Sequence, residues 1–235
     1  MLNDFSNRTK IVRAAMELAE SEGWNALSLN QIAERAGVSL ADLRREFDSK
    51  SDILRVFQRE VDGAVLEKMG APDMTQPAKD RLLDAIMTRF EVMAPFRPGL
   101  RRIVKDLGAR PGEAGQLLPS ALAAQSWMME AAGIPSTGPV GRMKVAGLTG
   151  VYGYVLRYWL EDESPGYEKT MALLDRKLTN GDRALSRVSA ACGCVSKMLC
   201  RCAPDKKRNE EESAAPPPPP PSSASPDMNG ASNGY

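Results

Sequence analysis

The chain has 235 residues, 43% of them hydrophobic and 26% charged, with 31 Lys and Arg against 30 Asp and Glu. That is enough apolar residue for one small and one larger helical domain with a real core. Histidine is absent, which removes Ser-His-Asp and Cys-His catalysis and every histidine-containing metal site, so we expect no catalytic residue, no metal and no cofactor.

The first predicted helix runs from about Thr9 to Glu22, with Ile11, Ala15, Leu18 and Ala19 on one face and Gly23 as its stop. Ser28, with Gln31 three positions on, is a capping-box start. Ile32, Ala33 and Ala36 then make the stripe of a short helix that Gly37 ends by accepting a left-handed backbone. Val38 plugs the corner. Ser39 with Asp42 repeats the cap for a second short helix whose Leu43 and Phe47 face inward while Ala41, Asp42 and Arg45 point away. Ser49 with Asp52 starts the next helix, Lys50 to about Met69, on which Ile53, Leu54, Phe57 and Val61 are apolar. The first helix is expected to form the lid of this three-helix core. Two capped helices joined so tightly form a helix-turn-helix, the geometry that sets side chains into a DNA major groove.

Pro72 to Pro77 breaks the pattern and marks a domain boundary. Beyond it, Ala78 to Met93 reads as an amphipathic helix through Leu82, Leu83, Ile86, Met87 and Phe90, ended by Pro95 and Pro98. Gly99 to Leu107 makes a short helix, Gly108 to Gly115 a loop, and Leu117 to Ala132 a further helix. Phe90, Trp127, Met128 and Tyr152 are candidates to line a pocket for a small apolar ligand, because Met and Trp suit irregular apolar cavities; plain core is the commoner role at helical spacing. The helix from about Val140 to Glu161 carries Gly147, Gly150 and Gly153, a smooth surface for close approach of another element. No strand precedes this Gly run and no lysine follows it in a phosphate-loop position, so it is not a nucleotide loop. Ser164 and Pro165 open a last helix from Gly166 to about Leu178, with Met171, Leu174 and Leu178 on one stripe.

After Val188 the composition changes to CGCVSKMLCRC and a Pro, Ser and Asn-rich tail, read as disordered. The spacing of Cys192, Cys194, Cys200 and Cys202 is not that of a zinc ribbon, and reduced solvent-facing thiols or an amphipathic helix containing Lys197 and Arg201 are expected over a metal site. The apolar runs are broken by charge before membrane-spanning length, and MLNDFSNRTK lacks a signal-peptide core, so we expect a cytoplasmic protein without stable membrane insertion.

The run RTKIVRAAMELAESEGW followed by GVSLADLRREFDSKSDIL resembles, in order and spacing, the N-terminal domain of the TetR family of bacterial transcriptional regulators, over roughly residues 8 to 62. The resemblance implies an all-α, TetR-like fold: a three-helix helix-turn-helix head (8–69) joined by a connecting helix to a larger helical ligand-binding and dimerisation domain (77–188), with 189–235 as the Cys-containing segment and tail. It implies a homodimeric regulator, a repressor by preference, that binds a double-stranded operator and is controlled by a small apolar ligand. The ligand shifts the connecting helix and so the spacing of the two heads, and the last two long helices build the dimer interface. The alternative is a TetR-like lipid-binding protein that no longer binds DNA, similar to the one of ubiquinone biosynthesis.

Geometry puts Ser39, Leu40 and Ala41 at the leading turn of the recognition helix and Arg45 opposite its buried stripe. The resemblance adds Asn30, Arg44 and Lys50, which match positions that contact DNA in the family. Lys50 is expected on phosphate and Arg45 on a guanine edge, where a guanidinium can bond O6 and N7 together. Residues 1 to 70 hold ten Lys and Arg against twelve Asp and Glu, an acidic balance for such a surface. The family usually has threonine at Asp42, an aromatic at Arg44 and often histidine at Glu46.

Overall fold

The three serine caps expected at the start of the chain are all made in the computed structural model, which describes residues 6–181 and 183. Ser28 accepts from the Gln31 amide and the Gln31 side chain accepts back, closing the capping box of α2 (Leu29–Ala36). Gly37 at φ +67° ends it, and the Val38 amide returns to the Ala33 carbonyl at 3.0 Å. Ser39 caps α3 (Leu40–Glu46) and Ser49 caps α4 (Lys50–Met69). Phe47 leaves the helix in extended backbone, which sinks its ring into the core beside Leu43.

α1 (Asn7–Glu22), capped by Ser6, is more than a lid. Val12 and Met16 are as buried as Ile11, Ala15 and Ala19, because α1 packs against α2, α3 and α4 on one side and a helix of the second half on the other. That helix is α6 (Arg97–Gly108), and it comes so close that a Cβ on Gly99 would lie 2.5 Å from the Met16 carbonyl oxygen.

α5 (Ala78–Met93) continues through a 3-10 turn (Ala94–Phe96) into α6. Pro98 was expected to end a helix; it sits in the first turn of α6, where its missing N–H has no partner to lose. The same chemistry corrects the expected loop at 108–115: Pro111 opens a short α7 (Pro111–Gln116), followed by α8 (Leu118–Ala131). α9 (Gly138–Glu161) buries Val145, Leu148, Val155 and Trp159. The last helix, α10, begins at 168 rather than Gly166 and is helical through 181 and at 183. Gly166 and Tyr167 take positive φ values of 60° and 58° in a 3-10 turn (Pro165–Tyr167), which delays it. The described residues contain helices and no strand, and their cores are continuous from Ile11 to Leu178. The Cys-containing segment and the tail, 189–235, lie outside the described residues, as do the last residues of the expected second domain.

Asp162 sets the entry to α10. Its carboxylate accepts from Ser164 N (2.9 Å) and Oγ (2.6 Å) and from Thr170 N (2.8 Å) and Oγ1 (2.6 Å). Burial pushes this carboxyl up, but the four hydrogen bonds outweigh burial and hold it far below the usual carboxylate range. A depressed folded value means that its stabilisation is full above the ordinary carboxylate pKa and is lost as pH falls below it towards the folded value. Asp162→Ala should therefore cost about 2 kcal/mol at neutral pH and flatten the acid limb of a melting-temperature profile; an unchanged acid limb would show that other carboxylates set it.

Candidate nucleic-acid interface

α3 is short, and its position is set by what surrounds it. Leu43 and Phe47 anchor it to α1 and α2, and its cap ties Ser39 to Asp42: the Asp42 amide donates to Ser39 Oγ at 3.0 Å while that hydroxyl donates to Asp42 Oδ2 at 2.6 Å. The Ser39 hydroxyl holds Asp42 below its ordinary pKa against the opposing effect of burial, with the Arg45 charge adding less in the same direction as the hydroxyl. Outward stand Leu40, 49% exposed, with Ala41, Arg44 and Arg45. Arg45 pairs with Asp42 at 2.5 Å and Arg44 with Asp48, with side chains 75% and 70% exposed. Such exposed pairs are worth only about 0.2–1 kcal/mol, so an incoming phosphate or base edge can exchange with them cheaply. Asn30 is exposed on α2. A cation that local spacing could not reveal also arrives here: Arg8 of α1 lies 5.8 Å from the centre of the Phe47 ring and 3.9 Å from Glu46.

Lys50 is placed differently from the other expected contacts. Its ammonium donates to the carbonyls of Trp24 (3.0 Å) and Leu27 (2.8 Å) and lies 5.3 Å from the centre of the Trp24 ring. Burial pushes its pKa down, and Glu113 partly restores it. It closes the connection between α1 and α2, whose Asn25 amide also donates to Asp106 of α6 at 3.0 Å. Nothing in the run SKSDIL signals two carbonyls more than twenty positions away.

The expected pocket residues divide. Phe90 is stacked between Tyr152 (5.5 Å between ring centres) and Trp159 (5.1 Å), and Met128 is fully buried in the same core. Trp127 does not join them: it is 52% exposed, on the outward face of α8 with Ala123 and Glu130, one residue round from the inward face of Gln125, Met128 and Met129. Arg89 of α5 pairs with Asp62 of α4, both buried, and its Nε donates to Tyr152 Oη at 3.0 Å.

No helix among the described residues is long and apolar enough to cross a membrane. The family model for bacterial regulatory proteins of the tetR family matches residues 11–56, which span α1 to the first turns of α4, and the COQ9 family model matches residues 117–184. The HTH-type transcriptional activator FasR of Mycolicibacterium smegmatis is 30% identical over 162 residues, covering 67% of this chain and 74% of that protein. The crystal structure of a TetR transcriptional regulator from Nitrosomonas europaea superposes with a TM-score of 0.58 at 25% identity, over 73% of this chain and 95% of that one. One from Rhodococcus sp. RHA1, at 17% identity and a TM-score of 0.52 over 74% and 96%, shares the fold. With its capped helix-turn-helix in the matched segment and a relative 30% identical over 162 residues, the chain belongs to the TetR family of bacterial transcriptional regulators.

Proposed function

We propose that this regulator acts in the cytoplasm as a homodimer that grips a double-stranded operator through residues of 8–69 and releases or repositions it when a small apolar ligand enters the 77–188 half. The observation that carries the DNA reading is α3, braced against α1 and α2 yet presenting Leu40, Ala41, Arg44 and Arg45 outward. Leu40 and Ala41 suit thymine methyl groups, Arg45 a guanine edge, and Ser39, Asn30 and Arg44 the neighbouring backbone. Lys50 spends two of its three N–H donors on the Trp24 and Leu27 carbonyls, so its first role is to hold the head in shape. An operator overlapping its promoter gives repression, the sign we assign; the Mycolicibacterium relative carries the name of an activator.

An electrophoretic shift on the DNA upstream of the chain's own gene tests this reading. Arg45→Ala should cost about 1–3 kcal/mol on the specific site and relax preference at one base pair. Lys50→Ala should instead lower thermal stability with no DNA present, by about 1 kcal/mol. Equal losses on specific and random DNA would take Arg45 out of base readout, and a shift indifferent to both changes would remove α3 from the interface.

The dimer reading rests on α9. Val140, Met143, Gly147, Gly150, Tyr154 and Tyr158 recur three or four positions apart and are all exposed, with Met171 of α10 exposed as well. Such a stripe is what a second copy would cover, the glycines letting its helices approach closely. Light scattering should give twice the chain mass, and Tyr154→Glu should give a monomer; a monomeric parent protein would end the reading.

The second reading, a lipid-binding protein of this fold without DNA, is not favoured over the regulator, although a COQ9 match lies over 117–184. That match covers α8 onward and leaves the helix-turn-helix untouched, so the regulator stands first, and an absent DNA shift would reverse that order.

A further inference from the structure

Gln125 of α8 is 1% exposed, and neither its Oε1 nor its Nε2 has a hydrogen-bond partner. A buried primary amide with both ends unpaired is costly, and an apolar residue of the same size would remove the cost. Its surroundings follow from three fixed points. Ser51 Oγ donates to Gln116 Oε1 at 3.5 Å near the start of α4, and a Cβ on Gly133 would meet Pro72 at 3.4 Å beyond its end, so α8 runs parallel to α4. Counting between these anchors brings Gln125 level with Asp62, to within about a turn. On the other side Arg81 Nε donates to the Ala132 carbonyl at 2.7 Å, and stepping two turns along α5 and back along α8 brings Arg89 level with Gln125. Asp62 and Arg89 are themselves a buried pair, so the three anchors agree.

The height at which the amide is unpaired is therefore one of no net charge: the Arg89 guanidinium is neutralised by Asp62 and held by Tyr152. Four of the buried apolar side chains of α5 and α8 are methionines, Met87, Met93, Met128 and Met129, beside Ile86 and Phe90, and unbranched thioethers adapt to an inserted chain. We propose that Gln125 is the polar recognition point of the effector, and that the effector is an apolar molecule carrying one uncharged group that both donates and accepts a hydrogen bond, a carboxamide being the simplest. This rests on the ligand-controlled reading above and gives it a chemistry: an ionised acid accepts from the Gln125 N–H but leaves its carbonyl unpaired and its own charge unbalanced, and a pure hydrocarbon leaves the whole amide unpaired. An occupant at this height, between α5 and α8, presses on α4, the helix whose first residue, Lys50, holds the turn between α1 and α2.

The test uses the full chain with aliphatic primary amides from hexanamide to hexadecanamide, and dodecane and dodecanoate as probes of matched chain. One or more amides should raise the melting temperature of the parent protein by several degrees and leave Gln125→Met and Gln125→Leu unmoved. Without ligand, Gln125→Met should melt about 3 °C higher than the parent, because the unpaired amide is gone. A lower melting temperature for both variants, equal shifts in parent and variants, a stronger effect of dodecanoate than of dodecanamide, or no response to any amide would each overturn the proposal. Operator binding is read in parallel: amides that distinguish parent from variant in a chain that binds no DNA would keep the site and remove the regulator.

Discussion

Asp62→Ala and Arg89→Ala should each destabilise the protein by about 3–5 kcal/mol, whereas Asp62→Leu combined with Arg89→Met should be close to neutral. Both partners are nearly sealed from solvent, so removing one leaves an uncompensated charge in a medium that cannot solvate it. Removing both takes away the desolvation cost along with the attraction. A double-mutant cycle in urea measures the difference; single substitutions costing less than about 1 kcal/mol would mean that water reaches the pair in solution. The pair also fixes where α4 lies on α5 and, through the Tyr152 hydroxyl, on α9. The apolar double variant should therefore fold well and still lose the coupling between ligand and operator, since the helix that carries the head would no longer be held in one register. Full ligand response in that variant would put the coupling elsewhere.

What could be read from the sequence was what lies within a few residues of itself. Ser28 and Gln31, Ser39 and Asp42, Ser49 and Asp52 meet within one turn, and Gly37 needs only its own φ, so the helix-turn-helix was legible before any packing was known. Leu43 was legible for the same reason, from its face of the helix, and Phe47 points inward as expected although it does so from extended backbone just past the helix end. Lys50 was not legible. Its site looked like an exposed helix start, and only the return of the Gly23–Leu27 turn supplies the carbonyls that engage it. Trp127 was misplaced because Trp and two Met in a row cover more than half of a helix's circumference, and the sequence cannot say which of them faces in. The extra burial of Val12 and Met16 comes from α6, eighty-odd positions on, and leaves a trace only in Gly99, a glycine in a helix that otherwise has no use for one.

That glycine carries the second large effect. Gly99→Ala should cost about 3 kcal/mol, because the new methyl would sit 2.5 Å from a backbone oxygen of α1, and a carbonyl locked in a helical ladder cannot swing aside as a side-chain end can. Gly63, inside α4 with nothing within 4 Å of a built Cβ, is the control: Gly63→Ala should stabilise by about 0.5–1 kcal/mol, the ordinary helix preference. The consequence for function follows from what lies on the same seam. Pushing α6 off α1 pulls Asp106 from the Asn25 amide, and that amide belongs to the turn whose carbonyls hold Lys50 at the start of α4. α3 should then lose its fixed attitude while keeping every one of its outward-facing residues. Operator affinity for Gly99→Ala should fall further than its loss of stability explains, measured on protein still fully folded by circular dichroism; an affinity equal to the parent's would show that the α1–α6 seam supports the head without steering it.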